Sequence, residues 1–221
     1  MTLTFYLKNP WHSCVHTTRK INVFIATSLD GYIANKNGGI DWLHAIPNPA
    51  NDDMGYVAFN KEVDALVMGR TTFETVLDFD VDCPYNKAVF ALSTTLKEIP
   101  ESHKDKAFLV KGEFTEIFEQ IHEKGFNRLY VNGGTTIRNF LKEYLINEMV
   151  ITTIPVLLGG VSSLFKELPN ELKFEFIGTK KNSEPNNTAS LQMEKVKYKI
   201  AILCIFNYLV LSYSRKYSQN L

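Results

Sequence analysis

The stretch Arg128-Leu129-Tyr130-Val131-Asn132-Gly133-Gly134-Thr135-Thr136-Ile137 decides how this chain is read. Arg128 to Val131 is a short apolar run of the kind that forms a buried strand. From Ile137 onward the pattern changes, because Ile137, Phe140, Leu141 and Tyr144 recur at i, i+3, i+4 and i+7 and give a helix one apolar face. Two glycines stand where the strand ends and the helix begins. Backbone without side chains lets an anion come close, and the open amides and positive dipole end of a helix attract phosphate. The spacing is not the G-x-G-x-x-G fingerprint, so a plain tight turn is the competing reading.

A second junction of the same kind lies upstream at Val67-Met68-Gly69-Arg70-Thr71-Thr72. Glycine again ends a strand, Arg70 offers a planar charged fork suited to phosphate, and Thr71 or Thr72 can cap the helix that follows. A solvent-exposed arginine is the alternative. Two anion-ready junctions in one small domain point to a single ligand with separated phosphates, and a dinucleotide such as NADP fits that description.

Further outward, strand-like runs at Ile21 to Ala26, Ala65 to Met68, Ala88 to Leu92, Ala107 to Val110, Arg128 to Val131 and Met149 to Ile154 alternate with helical stretches. One of these helices is marked by Phe114, Ile117, Phe118 and Ile121. Such alternation predicts βαβ units around a mostly parallel sheet. Near the end, Phe174 and Phe176 alternate with charged residues, and Leu191, Met193 and Val196 follow the polar stretch Lys180 to Ala189. The latter contains Pro185, Asn186 and Asn187 and reads as the connection of an antiparallel β-hairpin. The expected architecture is therefore α/β with a mixed sheet, in one domain from Ile21 to Tyr198.

Composition agrees with a globular domain and narrows its class. With 24 basic and 24 acidic residues the formal charge is zero, which lacks the electrostatic footprint of a nucleic-acid binder. Cys14, Cys83 and Cys204 are few, odd in number and far apart, which fits a reducing, cytoplasmic compartment. Residues 1–20 have no secretory pattern and read as a poorly ordered extension. His12, Cys14 and His16 cluster there, but structural zinc needs four ligands and no fourth is near, so no metal is expected. Ile200 to Leu211 is nearly all apolar yet too short to span a bilayer as a helix. A buried strand, an oligomer contact and a membrane-lying segment are all open readings of this 199–221 tail, with no membrane attachment expected.

Taken together, S-L-D-G-Y-I-A from Ser28, M-G-R-T-T-F-E from Met68, V-N-G-G-T-T-I from Val131 and I-P-V-L-L-G-G from Ile154 resemble the RibD C-terminal domain family. The resemblance implies a three-layer fold like that of dihydrofolate reductase, a pyridine-nucleotide-dependent reductase using NADPH, and a homodimer. It places Gly69, Arg70, Thr71 and Thr72 at a nucleotide phosphate site, and Gly133, Gly134, Thr135 and Thr136 at the pyrophosphate. Ser93 and Thr94 fall in the loop facing the adenosine ribose, and Asp30 and Gly31 in the loop approaching the nicotinamide. Many relatives carry an arginine beside that serine, whereas Leu92 to Thr95 contain none, so NADH stays open as an alternative.

Two departures bear on the substrate. Enzymes of riboflavin synthesis resembling this chain usually have glutamate where Asn132 stands, and an aspartate-aspartate-proline series that Val76 to Asp80 reproduces in part. The H-x-E and P-C-x-x-C elements of a zinc deaminase are missing from the chain. The expected activity is hydride transfer to a small heterocycle, either a pyrimidine ribosylamine of the riboflavin pathway or a pterin. For the pterin case, dihydrofolate reductase offers the analogy of a carboxylate on the helix before the M-G-R strand, and counting back from Gly69 selects Asp53. Asp30, Asp53 and Trp42 are the candidate catalytic residues, and acidic decoration of a helix start is the competing reading of Asp53. A non-catalytic nucleotide-binding protein is the remaining alternative.

Overall fold

The computed structural model describes residues 19–43, 52–77, 86–181 and 189–194. The expectations for 1–18, for the tail from 195, for the polar connection at 182–188 and for Asp78 to Asp80 lie outside them.

Ten strands and four α-helices alternate along the described chain. The strands are β1 (Lys20–Ser28), β2 (Tyr32–Ala34), β3 (Ala65–Gly69), β4 (Ala88–Leu92), β5 (Ala107–Val110), β6 (Arg128–Asn132), β7 (Glu148–Ile154), β8 (Ser162–Ser163), β9 (Glu175–Lys181) and β10 (Ala189–Glu194). The helices are α1 (Tyr56–Glu62), α2 (Arg70–Leu77), α3 (Phe114–Glu123) and α4 (Gly134–Lys142). Eight strands form one sheet in the order β5-β4-β3-β6-β1-β7-β10-β9, and β2 pairs with β8 in a small separate ribbon. The six strands from β5 to β7 are parallel, whereas β10 runs antiparallel to both β7 and β9.

Parallel strands covered on both faces are apolar throughout, and β3 illustrates why. Ala65 and Val67 pack on one side with α3 and α4, while Leu66 and Met68 pack on the other with Phe59 of α1 and Phe73 of α2. The sheet is thus the middle of three layers. On the α3/α4 side, Phe140 is fully buried and meets Phe114 and Phe118 edge-on, with ring centroids 4.9 and 6.0 Å apart. On the other side Phe24, Phe59 and Tyr130 form a similar cluster, and the Tyr130 hydroxyl donates to the Phe24 carbonyl at 2.8 Å.

β1 is central although it comes first. It pairs with β6 through Ile21↔Leu129 and with β7 along seven registered positions from Asn22 to Ser28. β3, β4 and β5 step outward in chain order, and β6 then returns to the opposite flank of β3. α2 leaves β3 on one face of the sheet and α4 leaves the neighbouring β6 on the other. A crevice opens at the carboxyl ends of strands where the connections diverge in this way.

α4 ends two residues short of the last position in its apolar pattern. Tyr144 lies beyond Lys142 with φ 56°, where the chain turns back toward β7.

Phe140→Ala should destabilise the domain by about 3–5 kcal/mol, as removal of a buried aromatic usually does. Urea unfolding of the two proteins measures it.

Candidate active site

A cleft of about 1000 Å³ opens at the carboxyl ends of the parallel strands. Its walls come from the end of β1 (Phe24, Ile25, Ala26), from Gly69 to Thr72, Leu92 to Thr95, Lys111 to Phe114, and Asn132 to Thr136. Ile33, Ala34, Ile40, Leu43 and Val161 add an apolar wall on the ribbon side. The volume stands at the upper end of what small-molecule sites require.

The two glycine junctions meet in the middle of this cleft. A Cβ on Gly69 would lie 2.9 Å from the Thr136 hydroxyl, and one on Gly133 would collide with the Thr72 hydroxyl. Gly133 also has φ 90°, a conformation that side chains disfavour. Strand β3 passes directly into α2 at Arg70, and α4 starts at Gly134 with no side-chain cap. The first-turn amides of α4 are therefore open to a ligand. Separated phosphate sites were the expectation. Because β3 and β6 are neighbours, the two junctions make one continuous cradle in the cleft.

Arg70 lines the cradle half-exposed, with its guanidinium 3.2 Å from Glu74 one turn along α2. Thr71, Thr72, Thr135 and Thr136 complete the lining, and Asn132 turns its side-chain oxygen onto the Gly133 amide at 2.7 Å. Ser93 accepts from the amides of Thr95 at 3.1 Å and Leu96 at 2.8 Å, which shapes the 93–95 loop, and Thr94 is exposed at its tip.

The three candidate catalytic residues lie outside this lining. Asp30 is exposed and ties two loops together. Its carboxylate receives the Ser28 hydroxyl at 2.5 Å and the amides of Leu158 and Gly159 at 3.1 and 2.7 Å. The Ser28 hydroxyl, followed by those amides, holds the carboxyl down at about 2 against the opposing effect of desolvation. An acid so low is ionised at neutral pH and has no proton to give. Asp53 precedes α1 rather than lying on it, is exposed, and accepts from the amides of Gly55 at 2.9 Å and Val57 at 2.7 Å. Its geometry is that of a helix-start carboxylate. Trp42 is buried between the lining residues Ile40 and Leu43 in sequence, and its indole N–H has no hydrogen-bond partner among the described residues.

Two features went unread in the sequence. Val110-Lys111-Gly112 at the end of β5 repeats the pattern of a strand running through glycine into a helix, and it lines the cleft. Arg138 on α4 donates to the Ser163 carbonyl at 2.6 Å and the Thr135 hydroxyl at 3.0 Å. It thereby seats the β2–β8 ribbon on the first turn of α4, where Gly134 leaves room for Ile33. Nothing in the spacing of Arg138 marks that long-range contact.

Asp30→Asn should lower the melting temperature by a few degrees at neutral pH. Since the folded carboxyl titrates at about 2 and an unfolded one near 3.9, the wild-type advantage is complete above the unfolded value. It shrinks as pH falls through the interval between the two. Thermal melts of both proteins from pH 7 to pH 2 should converge.

Comparison with known proteins follows from this geometry. The model of the RibD C-terminal domain matches residues 19–185. An uncharacterized Bacillus subtilis (strain 168) protein, YwjB, is 38% identical over 167 residues, which cover 73% of this chain and 91% of YwjB. A crystal structure of a Shewanella sp. PV-4 protein, provisionally assigned to riboflavin biosynthesis, is 51% identical with a TM-score of 0.76, covering 80% of this chain and 99% of that one. Enterococcus faecalis dihydrofolate reductase, solved with NADP(H), shares the fold at 15% identity and a TM-score of 0.55, over 80% of this chain and 96% of its own. By the extent of the matching domain and by these relatives, the chain belongs to the RibD C-terminal domain family.

Proposed function

We propose that this protein is a stand-alone NAD(P)H-dependent reductase of riboflavin-pathway type, acting on a pyrimidine ribosylamine or a related heterocycle. The observation that carries the reading is the single phosphate cradle made by the start of α2 and the uncapped start of α4. Glycines at 69 and 133, hydroxyls at 71, 72, 135 and 136, and the Arg70 charge fit a pyrophosphate. The 93–95 loop then borders the adenosine ribose. Bound nicotinamide supplies the hydride, and the chain's share of the work is to orient that ring and its acceptor and to keep water from between them.

The acceptor's place is the apolar wall of Phe24, Ile33, Ala34, Ile40, Leu43 and Val161. Among the described lining residues Glu113 is the one carboxylate, and it is already engaged at the start of α3. The proton that completes reduction is therefore assigned to solvent. An imine-like acceptor suits such a site better than a pterin, whose reduction by the dihydrofolate reductase route calls for a carboxylate that Asp53 does not bring to the wall. The three candidates Asp30, Asp53 and Trp42 take supporting roles in this reading: Asp30 holds the 157–160 loop, Asp53 starts α1, and Trp42 backs the apolar wall. The reading includes a homodimer in a reducing cytoplasm, and a domain from 21 to 198. No described helix is long and apolar enough to cross a membrane.

Tryptophan-fluorescence titration should give micromolar binding of reduced nicotinamide dinucleotide. Arg70→Ala should weaken it about tenfold, the usual effect of one charge-assisted bond. Consumption of the dinucleotide with a panel of pyrimidine ribosylamines and dihydropterins then identifies the acceptor. Absence of binding of either NADPH or NADH would sink the reductase reading.

A further inference from the structure

We propose that Arg138 is a positioning residue that turns the Thr135 hydroxyl into a phosphate donor and fastens the apolar wall to the cradle; this rests on the dinucleotide reading above. Arg138 lies one turn into α4 and is half-buried. Its guanidinium bridges two parts of the site, donating to the Ser163 carbonyl of β8 at 2.6 Å and to the Thr135 hydroxyl oxygen at 3.0 Å. Among the described residues no carboxylate forms an ion pair with it.

An arginine has donors and no acceptor, so the Thr135 oxygen can only accept from it. The hydroxyl proton of Thr135 is thereby directed away from the guanidinium, and no described group takes it. Thr135 is exposed, lines the cleft and stands in the first turn of α4, where no side chain caps the amides. A donor hydroxyl thus joins donor amides at this point, and the adjoining cation polarises it. Without the guanidinium the same hydroxyl is free to turn a lone pair toward the ligand, which a phosphate oxygen would repel.

The second arm reaches the wall. Ser162 and Ser163 form β8, which pairs with β2 through Tyr32↔Ser163 and Ala34↔Ser162. Ile33 and Ser162 line the cleft and stand over Gly134, where a Cβ would collide with the Ile33 side chain and lie 3.5 Å from the Ser162 hydroxyl. That Cβ would also lie 3.0 Å from the Arg138 guanidinium. Glycine at 134 therefore lets an apolar wall residue, a ribbon hydroxyl and the tethering guanidinium meet at the helix start. One side chain sets both where a phosphate meets the cradle and where the wall stands relative to it. A hydride donor anchored by its phosphates needs those placements to agree, since a misplacement of about 1 Å costs on the order of a hundredfold in rate. Lysine cannot do the same, because its ammonium lacks the planar fork that serves two acceptors in fixed directions.

The test is a double-mutant cycle on NADPH affinity, read by tryptophan fluorescence, with wild type, Thr135→Val, Arg138→Ala and the pair, and Arg138→Lys beside them. Arg138→Ala should weaken binding about tenfold in the wild-type background and only about twofold beside Thr135→Val, and Arg138→Lys should recover little. Hydrogen exchange reads the other arm through the amides of Tyr32 and Leu164, which donate to the Ser28 hydroxyl and the Gly31 carbonyl. NADPH should slow their exchange in wild type and leave it unchanged in Arg138→Ala. Unchanged affinity, equal weakening in both backgrounds, full recovery by lysine, or ribbon protection that survives the loss of Arg138 would overturn the assignment while leaving the reductase reading intact. Wild type binding no dinucleotide is the distinct result that removes both. Should Arg138→Ala fail to fold, as melting temperatures will tell, Arg138→Gln takes its place in the cycle.

Discussion

Everything at the ligand-facing end of this protein depends on how closely two chain turns approach above adjacent parallel strands. β3 and β6 are separated by one hydrogen-bonding distance, and each feeds a helix at its carboxyl end. α2 and α4 leave on opposite faces, so their first turns face each other across the sheet edge. Side chains at 69 and 133 would fill that gap with the hydroxyls of Thr136 and Thr72. Glycine at both positions is a packing requirement first, and the concave, amide-lined surface is what remains once packing is satisfied.

From that constraint the division of labour in the cleft follows. The junction at the start of α4 exposes unsatisfied amides, and the one at the start of α2 adds a guanidinium. At the third, after β5, Glu113 and Glu116 form a capping box at the start of α3, and Lys111 lines the cleft. The other wall, from Phe24 through Ile33 to Val161, is apolar and is set by the β2–β8 ribbon. Asp30 and Arg138 anchor that ribbon and its approach loop from opposite directions, one through amides of 158 and 159 and the other through the carbonyl of 163. A polar trough thus adjoins an apolar wall in one cleft.

Much of this was legible in the sequence because it is local. Short apolar runs marked all six parallel strands, since strands covered on both faces carry apolar side chains at every position. The i, i+3, i+4, i+7 pattern marked α3 and α4 for the same reason of burial. Strand adjacency is not local. Nothing in the segments around Gly69 and Gly133 says that β6 returns to lie against β3, so the approach of the two junctions to each other was not legible. Asp53 was selected by counting along an assumed helix, and α1 begins three residues later with Asp53 bonded to its first turn. Asp30 sits in a loop of the right family motif, but a carboxylate's partners across a fold are invisible to spacing, and three donors had already claimed it. The glycine junction at Val110-Lys111-Gly112 went unread, and its closeness to Ser93 became apparent only from the β4–β5 register.

The central place of β1 has a consequence for biogenesis. Its Ile21 amide bonds to Asn147, 126 positions away, and its two sheet neighbours are β6 and β7. The first described strand therefore gains its sheet neighbours only after residues 128–154 are made. A growing chain leaving the ribosome carries this apolar segment unpaired until most of the domain has been synthesised, and distant pairings of this sort are slow to close and prone to aggregate meanwhile. Vectorial folding from the amino end is unavailable to such a topology. The pairings of β3, β4 and β5, by contrast, join segments near in sequence and close shorter loops.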